Sequence, residues 1–121
     1  MVVIEADQLK NLLTVRYADR VDPVEVRAGL EQIREGLGRL ASGFRLLADL
    51  SDLQVMDVAC APFIEQAMDL CNQKGASIVV RIIPDPHRDI GLQIMSIFHY
   101  GSAVRIATCE TMAEAVKLLE L

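Results

Sequence analysis

The stretch that decides the fold is residues 44–75, FRLLADLSDLQVMDVACAPFIEQAMDLCNQKG. It opens with Phe44 to Asp49, a short apolar run of strand length, which reads as a buried strand. A connection follows, Leu50-Ser51-Asp52-Leu53-Gln54-Val55-Met56-Asp57, ending in a residue that can cap a helix. The segment to Lys74 then carries Phe63, Ile64, Ala67, Met68 and Cys71 at helical spacing. Gly75 stands where a left-handed helix stop belongs. Pro62 complicates the start. A helix begun at Val58 would set the proline ring against that residue's carbonyl, so the first turn is irregular or the helix starts late.

Working outward, Val2 to Ala6 and Leu12 to Ala18 read as two strands of a hairpin, joined through Asp7 to Asn11. In the second strand Leu13, Val15 and Tyr17 alternate with Thr14 and Arg16, which leaves one face solvated. Asp22-Pro23-Val24-Glu25 is a helix start, with a cap, a proline at the first helical position and a capping-box glutamate. Val26, Leu30, Ile33, Leu37 and Leu40 continue that helix, Gly36 and Gly38 weaken its end, and Gly43 closes the turn. Ser77 to Ile83 is nearly all β-branched, the pattern of a strand covered on both faces. Pro84-Asp85-Pro86 ends it. A further helix is predicted over Arg88 to Tyr100, then a strand over Ala103 to Ala107. Thr111 and Glu114 open a last capped helix through Leu119. The order β-β-α-β-α-β-α-β-α predicts an α/β fold, a single-layer mixed sheet of about five strands covered by four helices.

Composition narrows the function. The 121 residues suit one domain, residues 1–121, and carry a formal net charge of -5, which opposes a nucleic-acid or membrane surface. The longest stretch without a formal charge, Ile90 to Val104, is 15 residues and includes Gln93, Ser96, His99 and Tyr100, too short and polar to span a bilayer. The N-terminus has no basic region ahead of an apolar one, so it does not read as a signal peptide. Cys60, Cys71 and Cys109 form no C-x-x-C, and together these features point to free thiols in a reducing cytoplasm.

On residues 44–75, the element order and the closing Gly101, Val104–Ala107 and Thr111 segments, the chain resembles the STAS domain of SpoIIAA-like anti-sigma factor antagonists, found in bacterial signalling proteins. The match covers roughly residues 10 to 119. Family members read apolar-apolar-Asp-Ser-Ser-Gly where this chain has Val55-Met56-Asp57-Val58-Ala59-Cys60. The regulatory serine of the family is thus replaced by Val58, and residues 52–75 contain no serine or threonine. The resemblance implies a non-enzymatic protein-interaction module whose partner is an anti-sigma-type kinase or another regulator, without the phosphoserine switch. Ser51, Asp52, Asp57, Val58 and Ala59 are the expected partner-binding residues, with Asp57 also a plain helix cap.

Other side chains bear chemistry less directly. Cys60 lies near a helix start, where a thiol can become reactive, but Val58, Ala59, Ala61 and Pro62 favour simple packing. Arg81, His87 and Arg88 gather near the end of a buried strand, the edge where α/β sheets bind ligands, or are solvated loop charges. The two histidines form no metal motif. Neither a phosphate loop nor a nucleophile elbow occurs, and no cofactor is implied. Two further readings stand beside the interaction module. Leu92, Ile94, Met95, Ile97 and Phe98 cover more than one side of a helix, which suits a small-molecule or lipid pocket, or the interface of a homodimer.

Overall fold

The computed structural model describes residues 1–83 and 104–121. Strands β1 (Val2–Asp7) and β2 (Leu12–Tyr17) form the predicted antiparallel hairpin. The chain continues through β3 (Asp19–Val21) into helix α1 (Pro23–Leu37). Strand β4 (Arg45–Asp49) leads through β5 (Leu53–Met56) and a 3-10 turn (Val58–Cys60) into α2 (Ala61–Lys74). Strands β6 (Ile78–Ile82) and β7 (Arg105–Cys109) and helix α3 (Met112–Leu118) complete the described elements.

The main sheet has the order β1-β2-β4-β6-β7, with β2, β4, β6 and β7 mutually parallel. Period-two alternation sends Leu13, Val15, Tyr17, Leu46 and Val79 to one face, where they pack with Val26, Leu30 and Ile33 of α1 and Ile64 and Met68 of α2. Leu47, Val80, Ile82 and Cys109 face the other way, against Ala115 of α3 and Leu119. All five residues of β6 are buried, as its β-branched run predicts. The far face of β1 and β2, by contrast, stays partly open at Val3, Glu5, Thr14 and Arg16.

Three expectations need correction. Helix α1 ends at Leu37 with Gly38 as its cap, so Leu40 packs from the following turn. Two short strands, β3 and β5, occupy segments read as connections. They pair in parallel as a separate ribbon, and three or four residues are too few to show a period. The final strand begins at Arg105, later than predicted. The helix expected over Arg88 to Tyr100 lies outside the described residues, which contain three α-helices.

Gly75 shows how tightly one turn is specified. It adopts φ 100°, and its N–H reaches the carbonyls of Cys71 and Asn72. A Cβ here would fall on Ser42 Oγ. Gly75→Ala is expected to lower stability by about 2 kcal/mol or more, since the left-handed conformation alone costs a non-glycine residue roughly 1–2 kcal/mol. Chemical denaturation measures it, and a loss under about 0.5 kcal/mol would mean the turn relaxes freely.

Candidate functional site: a lip between two helix starts

Two halves of the chain repeat one pattern. Strand β2 leads through β3 into α1, and its sheet neighbour β4 leads through β5 into α2. Because β2 and β4 are parallel, their extensions pair in turn, with Val21 opposite Met56. The next residues on the two strands are Asp22 and Asp57, and both are caps. Asp22 Oδ1 accepts from the Glu25 N–H at 2.9 Å, and Asp57 Oδ1 accepts from the Ala59 N–H at 2.8 Å. The Asp57 N–H donates to Val21 O at 3.2 Å, tying the second helix start to the first. Two helix N-termini therefore open at one end of the sheet, with the β3–β5 ribbon between them.

The start of α2 resolves the proline conflict. Val58–Cys60 forms a 3-10 turn, the helix begins at Ala61, and Pro62 falls in its first turn where no intrahelical N–H is needed. This geometry pushes Val58 outward, and its side chain is 89% exposed. Val55, 53% exposed on β5, and Val24, 78% exposed in the first turn of α1, add apolar surface to the same lip. Around them stand the exposed carboxylates of Asp22 and Asp57 and the half-buried Glu25.

Cys60 turns inward. It is fully buried, with Sγ 3.8 Å from Val21 O. Burial pushes its thiol up from the ordinary value, and the negative charges of Asp57, Asp22 and Glu25 push the same way, against a smaller opposing hydrogen bond from the Asp57 backbone. The thiol thus stays protonated near neutral pH. Its side chain lies within the buried core cluster.

Ser51 and Asp52 stand at the entrance of β5, whereas Asp57, Val58 and Ala59 stand at its exit. The four residues between them span roughly 13 Å at the usual strand rise. Ser51 Oγ donates to Asp49 Oδ1 at 2.6 Å, and the Ser51 N–H donates to the same oxygen at 3.0 Å, closing the turn after β4. Arg16 bridges Asp52 and lies 3.8 Å from Asp49. These polar groups anchor the base of the ribbon, while the exposed Val58 follows its far end. Val24 and Val55 were missed by sequence reasoning. The signal for Val24 was its place directly after the proline of a capped helix start, off the apolar stripe that begins at Val26.

Arg81 is not a solvated loop charge. It lies within β6, 3% exposed, and Nη2 donates to Thr108 Oγ1 of β7 at 2.9 Å. His87 and Arg88 lie outside the described residues, as do Leu92, Ile94, Met95, Ile97 and Phe98. Among the described residues no group of three or more His, Cys, Asp or Glu is placed to hold a metal ion, and no helix is long and apolar enough to cross a membrane. The strand order runs in one direction from β2 to β7, so the described sheet lacks the reversal that creates a ligand crevice in doubly wound folds.

No protein-family model matches the chain, and no curated protein does. Solved structures do. An anti-sigma factor antagonist from Mycobacterium paratuberculosis superposes with TM-score 0.62 at 15% identity, covering 100% of this chain and 94% of that one. The phosphorylated form of the Bacillus cell fate determinant SpoIIAA gives TM-score 0.65 at 15% identity, covering 98% and 99%. The fold is that of SpoIIAA. A DUF3478-family protein with a SpoIIAA-like fold from Shewanella loihica PV-4 reaches TM-score 0.72 at 16% identity, covering 98% and 92%. On this SpoIIAA-like fold, the side chains displayed at the β3–β5 ribbon and the two helix starts are this chain's own.

Proposed function

We propose that the chain is a non-catalytic protein-interaction module of the anti-sigma factor antagonist kind, one STAS-like domain over residues 1–121. Its docking face is the lip formed by Val24, Val55, Asp57, Val58 and Ala59, with Ser51 and Asp52 at the foot of the ribbon. The observation that carries this reading is Val58, an almost fully exposed valine fixed at the tip of a capped turn. An aliphatic group held out in water gains nothing for folding and becomes useful when a partner covers it. The acidic surround of Asp22, Glu25 and Asp57 suits a partner with an apolar socket and a basic rim, such as an anti-sigma-type kinase or another regulator.

SpoIIAA has been solved phosphorylated. In this chain residues 52–75 carry no hydroxyl side chain, so a phosphate cannot be esterified at the tip. Affinity at the lip is then set by shape and charge alone. The carboxylates at the two helix starts are engaged as caps, and the Ser51 hydroxyl closes a turn, which supports a role without chemistry. The free thiols Cys60, Cys71 and Cys109 suit a reducing cytoplasm.

The test is an affinity capture from the source cell with wild type and Val58→Glu side by side. A protein retained by wild type and lost by the variant supports the proposal, and identical captured sets remove it.

A further inference from the structure

Among the described residues β1 is an edge of the main sheet, with β2 on one side and no strand on the other. Parity decides which of its backbone groups face out. The Met1 nitrogen donates to Ala18 O at 2.9 Å, and the Ala18 N–H donates to Met1 O at 2.9 Å. Such reciprocal pairs alternate in an antiparallel ladder, so Val3, Glu5 and Asp7 bond to β2. Val2, Ile4 and Ala6 therefore turn their N–H and C=O groups away from it, and none of these groups bonds to a described residue. Exposed edges are ordinarily guarded by a proline, a lysine or a bulge. Strand β1 has none of these, and its register with β2 is unbroken.

A free ladder of this kind takes an extended strand, and β1 is complementary to itself. A two-fold axis at Ile4 sets Ile4 opposite Ile4 and Val2 opposite Ala6 of a second, antiparallel copy, so every outward N–H meets a C=O. An axis at Val3 carries Ala6 past the start of the other β1, and an axis at Glu5 sets two carboxylates face to face. At Ile4 the Glu5 side chain instead faces Val3, and like charges stay apart. Helix α1 adds charge complementarity. It lies close over β1, where a Cβ on Gly29 would stand 3.0 Å from Val2 Cγ1 and one on Gly36 would stand 3.3 Å from Ala6 Cβ. Glu25 flanks the edge beside Val2, and Arg39 flanks it beside Ile4 and Ala6. The same axis brings Glu25 of each copy to the Arg39 end of the other. Their partners within the chain, the Met1 ammonium and Glu35, form exposed pairs that hold weakly. We infer that β1 is a self-association edge, through which two copies of the chain join their sheets in antiparallel register about Ile4. A contact one strand wide belongs with small, transient interfaces. Its test needs no other protein, so this inference and the lip can fail independently.

Sedimentation of the full chain at concentrations up to about 1 mM, where so small an interface is populated, tests the inference. Wild type should show a reversible monomer–dimer equilibrium. Ile4→Pro removes the N–H on the axis and breaks no bond to β2, and should weaken the dimer by about tenfold or more. Should that variant not fold, the exposed Val3 decides. Val3→Lys faces Glu5 of the second copy and should tighten the dimer about threefold, and Val3→Glu should loosen it about as much. Leu9→Lys, the same change of charge outside the ladder, should leave the equilibrium where it is. A wild type that stays monomeric throughout, a dimer indifferent to a folded Ile4→Pro, one loosened alike by Val3→Lys and Val3→Glu, or one tightened equally by Leu9→Lys would each overturn the inference.

Discussion

Phe44→Ala is expected to cost about 3–5 kcal/mol, the range for deleting a buried aromatic ring. Phe44 has no exposed surface and stands at the entry to β4, within the cluster that joins the sheet to α1 and α2. Its backbone cannot move to close the gap, because Phe44 O accepts from the Ser77 N–H at 2.8 Å and from Ser77 Oγ at 3.1 Å. The carbonyl is thereby pinned to the start of β6 while the ring's space stands empty. Against a total stability of roughly 5–15 kcal/mol, such a loss approaches unfolding. Urea denaturation with an unchanged slope reads it directly. A loss below about 1 kcal/mol would show that the neighbours collapse into the space, and that this cluster is not the close-packed centre of the fold.

The second large effect falls on binding and leaves stability alone. Val58→Glu should change unfolding free energy by no more than about 0.5 kcal/mol, because the side chain is 89% exposed. The same change should cost about 2 kcal/mol or more in affinity for the partner, near 30-fold, because it places an unpaired carboxylate in a desolvated contact. A basic rim would attract that charge, so the loss reads the burial of the carboxylate in an apolar socket. Leu9→Glu is the matched control. Leu9 is fully exposed in the turn between β1 and β2, at the opposite end of β2 from the lip. It should leave both stability and affinity unchanged. Calorimetric titration of the captured partner against both variants measures the difference, and equal losses would reduce the effect to net charge.

Much of this architecture is written in local pattern. The caps at Asp22, Asp57 and Thr111, the stop at Gly75 and the all-buried β6 each follow from a residue whose conformational preference and position agree. Pro62 narrowed the start of α2 to an irregular first turn or a late helix, and the chain has both, a 3-10 turn and then a helix from Ala61. The ribbon of β3 and β5 was not legible. Its pairing arises because β2 and β4 are parallel neighbours whose extensions must run side by side, a tertiary cause with no trace in three-residue windows. For the same reason Val24 and Val55 could not be joined to Val58 from sequence. Arg81 misled for a different reason. A charged residue near a strand end is usually solvated, and this one is buried because β6 is covered on both faces.

Hydrogen–deuterium exchange on the free and partner-bound chain bears most directly on the docking face. Bound partner should slow exchange across residues 20–26 and 53–61 together, where the two helix starts and the ribbon meet, and leave Met112–Leu118 unchanged. Protection confined to α3 or to the turn between β1 and β2, with 53–61 exchanging as in the free chain, would contradict the lip as the surface through which this protein acts.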